Sequence, residues 1–195
     1  MASENIASLK KKAKDEGYRL IYVDEASISL ASSVGYTYAR CGERPVIETS
    51  TEISNRMYLA SGISASGELV YKVRRQPFDG ATIVEFLKQM LAQLNGKLLI
   101  IWDNASIHDC QKTHQFLATN EQAERLHLVK QPTYSPQLNA DEQVWHQIKY
   151  VGLKNTCYRN IKELKPRLIE EMEKLKNKPK LIKQFFHHED VGFYN

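Results

Sequence analysis

The sequence has few cysteines and no long apolar run, and these absences exclude several classes of protein. Its three cysteines, Cys41, Cys110 and Cys157, are widely spaced and odd in number. That pattern fits neither a disulfide framework nor a thiolate zinc site, and it indicates a reducing compartment. No apolar run approaches the ~18 residues of a membrane-spanning helix, and none near the N-terminus has the form of a signal peptide. We therefore expect a protein without a membrane partner.

The composition is that of an ordered globular domain with little charge bias. Hydrophobic residues make up 42% and charged residues 26% of the 195 residues, which is close to the averages of globular proteins and excludes wholesale disorder. The net charge of +4 permits a polyanionic partner without requiring one. The chain shows no internal repeat and no low-complexity linker, so its length fits one domain.

The first part of the chain changes from a polar segment to a β pattern. Residues 1–17 are polar and contain four lysines. We interpret them as a basic tail or short helix, either a solvated face or a nucleic-acid contact. From Tyr18, a run rich in β-branched and aromatic residues predicts a strand that ends at Asp24-Glu25. Further strand patterns lie around Gly35–Tyr38, at Met57–Ile63 and at Leu69–Val73. The short turns between strands predict antiparallel pairing.

The second part alternates helix and strand patterns. Apolar residues at helical spacing from Ile83 to Leu94 predict a helix that Asp79 caps and Asn95-Gly96 ends. Residues 97–102 hold Leu98-Leu99-Ile100-Ile101, the continuous apolar run of a buried strand. The next elements are a helical stretch to about Glu124, a strand at Leu126–Val129 and a helix from about Ala140 to Lys154. A last helical pattern runs from Ile161 to Leu175, and Pro166 implies a kink in it or a later start. This order predicts an α/β fold.

Three carboxylates occupy positions at which such a fold places its chemistry. Asp24 closes the first predicted strand and Asp103 closes the buried one, and open α/β sheets bind their ligands at strand ends. Glu142 lies in the first turn of the helix that follows a Pro-rich loop. Three carboxylates without a Cys or His ligand set suit Mg²⁺ rather than zinc. A pair of such ions about 4 Å apart is a standard device for displacement at phosphorus.

Each acid also has a purely structural interpretation. An aspartate after a strand often caps a turn, and Asp103-Asn104 fits that role. Asn139 and Glu142 have the spacing of a capping box, with Asn139 as the cap. Asp141 is adjacent to Glu142 and is the alternative third ligand. Apolar residues three and six positions after Glu142 lie near its face of the helix, the face expected to turn toward the sheet, which favours Glu142.

The sequence around these acids carries three blocks in a fixed order. They are Val23-Asp24-Glu25, then Trp102-Asp103-Asn104-Ala105-Ser106-Ile107-His108, then Tyr134-Ser135-Pro136-Gln137-Leu138-Asn139-Ala140-Asp141-Glu142-Gln143-Val144-Trp145 with Lys149 beyond. The blocks, with a Gly42-Glu43-Arg44-Pro45 turn, resemble the DDE transposases of the mariner-related superfamily, in its bacterial insertion-sequence branch.

The resemblance covers roughly residues 18–160 and has three departures. Ala140 stands where the family has proline, and Asp141 stands where it has an apolar residue. The interval between Asp103 and Glu142 holds 38 residues (142 − 103 − 1), somewhat more than is usual. None of these departures removes a member of the acidic triad.

The resemblance implies a ribonuclease-H-like fold: a mixed five-stranded sheet, three antiparallel strands and then two parallel ones, flanked by helices. That fold would cover residues 18–160, and residues 161–195 would be a helical extension of the same domain. Asp24, Asp103 and Glu142 would hold two Mg²⁺ ions, for which Mn²⁺ substitutes, and would catalyse cleavage at transposon ends and strand transfer into target DNA. Supporting residues would be Asn104, His108, Asn139 and Lys149. His108 would orient a phosphate or Asp103, or alternatively cap or pack in the following helix.

Basic residues concentrate in two places and predict contacts with DNA. Residues 146–183 contain eleven Lys or Arg and four Glu, a local charge of +7 (11 − 4). A second group stands at the end of a predicted strand. The candidate DNA-contacting residues are Lys72, Arg74, Arg75, Lys149 and Lys154. A solvated basic face is the alternative interpretation of each group.

The resemblance also implies partners and a location. We expect double-stranded DNA as the partner, a homodimer as the active assembly, and a bacterial cytoplasmic protein associated with the nucleoid. Transposases of this group bind their ends through N-terminal helix-turn-helix domains, and none precedes Tyr18. We therefore expect a separate or missing DNA-binding domain and weak sequence specificity. The alternatives are a ribonuclease-H-type nuclease and a non-catalytic, domesticated DNA-binding relic.

Overall fold

A computed structural model describes residues 6–30, 38–44, 46, 55–132 and 138–187. Their framework is a five-stranded sheet with the strand order β3-β2-β1-β4-β5. Its strands are β1 (Tyr18–Ser29), β2 (Arg56–Ser64), β3 (Leu69–Arg74), β4 (Lys97–Trp102) and β5 (Leu126–Lys130). The first three strands pair antiparallel, and β4 and β5 continue the sheet in parallel with β1. The predicted fold class, a mixed five-stranded sheet flanked by helices, is confirmed.

Helices cover both faces of this sheet. They are α1 (Ile6–Glu16), α2 (Gly80–Gln93), α3 (Gln111–Thr119), α4 (Glu142–His146), α5 (Ile161–Lys176) and α6 (Pro179–Gln184), with a π-helix at Gln147–Gly152 and 3₁₀ turns at Glu121–Arg125 and Phe185–His187. Buried side chains of α2 and α3 form one core with the sheet. Those of α1, α4, the π-helix, α5 and α6 form the other. Residues Leu98–Trp102 of β4 lie between the two cores and are at most 2% exposed, as the continuous apolar run predicts.

The first strand is longer than the sequence pattern predicts. Its parallel pairing with β4 ends at Tyr22 opposite Ile101, but its antiparallel pairing with β2 continues to Ser29. The prediction that β1 ends at Asp24-Glu25 is therefore wrong, because β2 supplies hydrogen-bond partners after β4 has stopped. Asp24 lies beyond the parallel ladder and inside the antiparallel one.

The helix α2 follows its sequence signals closely. Asp79 caps it by accepting a hydrogen bond from the backbone N–H of Thr82 at 2.9 Å, and the Thr82 hydroxyl accepts from the Asp79 backbone N–H at 2.8 Å. Gly96, with φ = +81°, makes the turn into β4 in a conformation that favours glycine. A Cβ built on Gly80 would lie 2.1 Å from the sulfur of Cys110. The absence of a side chain at Gly80 therefore lets α2 pack against the segment that leads into α3.

Two helices differ from their predicted forms. The helix predicted from Ala140 to Lys154 begins at Glu142 and becomes a π-helix, in which the Leu153 N–H donates to Ile148 O at 2.9 Å. The wider turn lets both of these residues be buried. The later start suggested by Pro166 is wrong, because α5 begins at Ile161 and continues through the proline.

Some predictions fall where the structure gives little or no description. The strand pattern around Gly35–Tyr38 lies outside the described residues except for Tyr38, which is exposed and outside any strand. Residues 134–137 of the third block also lie outside them. The turn at Gly42 is present, and the Glu43 N–H donates to Arg40 O at 2.9 Å. None of the helices in the described part of the chain combines the length and apolar composition needed to cross a membrane.

Candidate metal centre

Neighbouring acids on β1 make contacts on opposite faces of the sheet. Successive side chains of a strand alternate between faces, so Asp24 and Glu25 diverge. Asp24 contacts α4, where its Oδ2 accepts a hydrogen bond from the indole N–H of Trp145 at 2.9 Å. Glu25 contacts the segment before α3, where its Oε1 lies 3.1 Å from Nε2 of His108. The site is therefore built from two halves, one on each face.

Burial and negative neighbours act on the carboxyl group of Asp24. Desolvation, followed by the charge of Glu142 and then that of Glu25, raises its pKa to about 7, although the hydrogen bond from Trp145 works in the opposite direction. Every charge that acts on the group in this way is negative. A carboxylate in such surroundings is stabilised by a bound cation, which restores its charged form.

The predicted third ligand, Glu142, is the first residue of α4 and is exposed. The capping box proposed for it does not form, because the N-cap is Asp141 and no side chain caps the helix. Asn139 makes other contacts: its Oδ1 accepts from the Asp141 N–H at 3.0 Å, and its Nδ2 donates to Val23 O at 3.4 Å. Asn139 therefore ties the start of α4 to β1, and the carboxylate of Glu142 remains at the surface near Asp24.

The alternative third ligand, Asp141, is fully buried. Its Oδ2 accepts a hydrogen bond from the Ser61 hydroxyl at 2.5 Å, and Ser61 is itself fully buried in β2. Burial raises the pKa of Asp141 well above its usual value, and the charges of Asp24, Glu25 and Glu142 act in the same direction. The carboxylate of Asp141 is thus enclosed and bonded to Ser61, whereas that of Glu142 is exposed; the choice of Glu142 as the ligand stays a prediction.

The second half of the site centres on His108, which is 3% exposed. Its ring is stacked on that of Trp102 with centroids 4.3 Å apart. Nδ1 lies 2.9 Å from a carboxylate oxygen of Asp103, and Nε2 contacts Glu25. Burial lowers the pKa of His108, but the hydrogen bond and charge of Glu25, with Asp103, outweigh it, and the pKa lies above its ordinary value. His108 is packed against Trp102, in a turn before α3 and not in the helix itself, and it contacts Asp103; its orienting role stays a prediction.

Asp103 itself is largely exposed and is held mainly by its own turn. Its side chain is 54% exposed, and Oδ1 accepts a hydrogen bond from the Ala105 N–H at 2.9 Å. The turn-capping role that the sequence suggests is therefore present, together with the contact to His108. The following residue, Asn104, donates from Nδ2 to Gln131 O at 2.8 Å and so links this turn to the end of β5.

The predicted ligands do not all converge. Among the described residues, Glu25, Asp103 and His108 are the group whose carboxylate oxygens and ring nitrogens lie within 4.8 Å of one another. Asp24 is not a member of this group, and its pKa is raised by the charge of Glu142. Glu25 is not among the site residues predicted from the sequence. Its place next to Asp24 on a strand nevertheless predicts a side chain on the opposite face. Because carboxylates occupy both ring nitrogens of His108, it suits an orienting role, and the oxygen donors fit Mg²⁺ or Mn²⁺.

The predicted DNA-contacting residues of β3 lie at the same edge of the sheet as the acids. In the register, Arg74 is opposite Tyr58, which is opposite Ser27 of β1. The Lys72 ammonium forms a 2.6 Å ion pair with Glu85, and the Arg74 guanidinium lies 5.3 Å from the ring centroid of Phe78.

The other predicted DNA-contacting residues also have defined positions. Arg75 donates hydrogen bonds to Asn55 and Arg56. Lys149 in the π-helix and Lys154 after it are partly buried.

Comparison with known proteins adds a family and a fold. Residues 19–165 match the family model described as DDE superfamily endonuclease. The "insertion element IS630 uncharacterized 39 kDa protein" of Shigella sonnei is 26% identical over 162 residues, a match that covers 80% of this chain and 44% of that protein. The chain thus spans less than half the length of this relative.

Solved structures of the Mos1 mariner transposase share the fold. The paired-end complex with Mg gives a TM-score of 0.64 at 14% identity, over 97% of this chain and 61% of that chain. The isolated catalytic domain gives 0.53 at 11% identity, over 97% and 92% of the two chains. At these identities the likeness shows the fold, which is ribonuclease-H-like.

Proposed function

The chain belongs to the DDE superfamily endonucleases, and from that premise we propose that it is the catalytic domain of an insertion-sequence transposase. It would cleave DNA at transposon ends and transfer the freed strand into target DNA. The relative from an insertion element and the shared fold with a mariner transposase support this proposal. One observation carries it: Asp24 is partly buried against α4, where the Trp145 indole N–H donates to it at 2.9 Å, and the nearby charge of Glu142 helps to raise its pKa to about 7.

In this proposal Asp24, Asp103 and Glu142 hold two divalent ions, Mg²⁺ or Mn²⁺. When bound, these ions supply activation of the attacking hydroxyl and stabilisation of the leaving oxygen at phosphorus. The protein's own part is orientation. The Trp145 indole N–H fixes one oxygen of Asp24, and His108 fixes Asp103 against Glu25. Such supporting contacts set how well carboxylates are placed to bind a metal.

Double-stranded DNA is the proposed substrate, and the sheet edge is the proposed contact surface. Basic side chains at the end of β3 and in the π-helix would neutralise phosphates beside the acids; they are Lys72, Arg74, Arg75, Lys149 and Lys154. Lys72 would have to leave Glu85 to contact DNA. The proposal also includes a homodimer as the active assembly and association with the bacterial nucleoid. A helix-turn-helix domain would be supplied by a partner or by a longer chain.

The test is metal-dependent nicking of supercoiled plasmid by the purified chain, with Asp103→Ala as the control. Because Asp103 is largely exposed, this variant is expected to fold, and its melting temperature without metal checks that. Nicking that requires Mg²⁺ or Mn²⁺ and is lost in the variant is the expected result. Equal nicking by both proteins would contradict the assignment of Asp103. Preference for RNA–DNA hybrid over duplex DNA would favour a ribonuclease H, and absence of both nicking and metal binding would favour the relic.

A further inference from the structure

A buried hydrogen bond connects β2, the strand that pairs with the one carrying Asp24, to the residue that precedes α4. Ser61 lies directly opposite Asp24 in the antiparallel ladder of β1 and β2, and its hydroxyl donates to Oδ2 of Asp141 at 2.5 Å. Asp141 immediately precedes Glu142. Both partners are fully buried. Together with the direct bond from Trp145 to Asp24, this bond links the pair of strands β1 and β2 to the start of α4.

The start of α4 depends on such external contacts. The α-helical part is five residues long, and no side chain caps it. Its first turn is held by backbone bonds of the i to i+3 type, from the Glu142 N–H to Asn139 O and from the Gln143 N–H to Ala140 O, each 3.2 Å long. Such short helical segments are marginal without tertiary contacts. The bond to Ser61, with that from Asn139 to Val23 O, fixes this turn to β2 and β1.

The carboxyl group of Asp141 is a poor choice for stability alone. Its Oδ1 is buried without a hydrogen-bond partner among the described residues, and an unpaired buried polar atom destabilises a fold. Asp24, Glu25 and Glu142 add negative charge nearby. An apolar side chain would fill the space without these penalties, but it could not hold Ser61.

We propose that Asp141 is a positioning residue which, through its hydrogen bond to Ser61, sets the separation between the carboxylates of Asp24 and Glu142. The inference rests on the proposed function, since it takes these two residues as metal ligands. It assigns Asp141 no contact with metal or DNA. The predicted consequence is that breaking the bond weakens metal binding while the fold persists.

The experiment measures Mn²⁺ binding by calorimetry and Mg²⁺-dependent nicking on the whole chain. Ser61→Ala removes the donor and keeps the charge of Asp141. Asp141→Asn removes the charge and keeps an oxygen that accepts from Ser61. Ser64→Ala is the matched control, because Ser64 is also a fully buried serine of β2 but bonds to Ser66 and Glu68 instead. Melting temperatures without metal report the purely structural cost of each change.

We expect Ser61→Ala to weaken Mn²⁺ affinity about tenfold and to raise the Mg²⁺ concentration for half-maximal nicking by a similar factor, since loss of an orienting contact typically costs 10- to 100-fold. Asp141→Asn should retain most of the wild-type Mn²⁺ affinity, and Ser64→Ala should leave that affinity unchanged. Loss of binding in Asp141→Asn as large as in Asp24→Asn would make Asp141 a ligand and overturn the inference.

Two further outcomes separate this inference from the proposed function. Unchanged affinity in Ser61→Ala, with a wild type that binds metal and nicks DNA, would overturn the inference alone. A wild type that binds Mn²⁺ without nicking would contradict the nuclease proposal, while the calorimetric comparison would still decide the role of Asp141. A wild type that binds no metal would overturn both.

Discussion

The two halves of the site differ in burial and in the origin of their contacts. Asp24 is partly buried against α4, and its partner Trp145 is 121 residues away in the chain. Asp103 is largely exposed, and its partners are Ala105 and His108, two and five residues away. The difference teaches that the contacts of Asp103 come from local turn chemistry, whereas those of Asp24, like the contact of Glu25 with His108, come from tertiary packing. A cation would relieve the unfavourable burial of the first half, whereas the second presents a ligand that is already well solvated.

The largest expected effect is the loss of nicking in the variants Asp24→Asn and Asp103→Asn, one from each half of the site. Both should lower the nicking rate by about 10³-fold or more, because a metal ligand contributes several kcal/mol to the transition state. Their effects on the metal-free protein should differ. Urea unfolding at pH 8 should show Asp24→Asn more stable by about 1–3 kcal/mol, since a buried charge is removed, and Asp103→Asn within about 0.5 kcal/mol of wild type. Destabilisation by Asp24→Asn would break the comparison.

The pH dependence of stability tests the same half of the site. The folded pKa of Asp24, about 7, lies above its ordinary value of 3.8, so the folded state binds the extra proton between these values. In the metal-free chain, the free energy of unfolding should therefore fall as pH rises from about 4 to about 7, by up to about 4 kcal/mol.

Asp141 and His108 also have raised pKa values and add slope of the same sign. The difference between wild type and Asp24→Asn isolates the contribution of Asp24. Urea titrations at several pH values with a chelator measure it. Parallel curves for the two proteins would contradict the burial of Asp24.

An intermediate effect is expected from His108→Phe, which keeps an aromatic ring against Trp102 and removes the bonds to Glu25 and Asp103. Metal affinity or nicking should fall 10- to 100-fold, as is typical for groups that orient ligands. His114→Phe is the control, because His114 is an exposed residue of α3 that pairs with Asp109. Equal effects of the two substitutions would show that the orienting contacts do not matter.

The smallest expected effect is that of Trp145→Phe. Removing the indole donor leaves the carboxylate of Asp24 less stabilised, so its pKa rises further. The pH midpoint of metal binding should shift upward by about one unit, since a hydrogen bond to a charged group contributes about 1.5–3 kcal/mol. Trp102→Phe, on the other half of the site, should not shift this midpoint. A shift of equal size in both variants would mean that the two halves titrate together.

Sequence patterns predicted most of the fold because its local signals agree with the tertiary structure. The cap at Asp79, the glycine turn at Gly96 and the apolar run of β4 appear as expected. The patterns failed where a neighbouring element decided the outcome. They ended β1 at Asp24-Glu25 because acids interrupt an apolar run, whereas pairing with β2 extends the strand to Ser29.

Site residues follow the same division. The contact between Asp103 and His108 could be predicted because a turn brings residues this close together regardless of the rest of the fold. The Ser61–Asp141 bond could not be predicted, since its partners are 80 residues apart and neither stands in a motif that names the other. Glu25 lies between these cases: alternation predicts its face, but only packing brings His108 to it.

The sequence by itself determined the family, the mixed sheet and the three candidate ligands, because periodicity, caps and motif blocks are written in residues close along the chain. Only the tertiary structure decided which carboxylates are buried, which are exposed and which are held by a distant hydrogen-bond donor. The physical reason is that desolvation and side-chain hydrogen bonding depend on what packs against a group. For Asp24 and Asp141 those neighbours come from strands and helices far away in sequence.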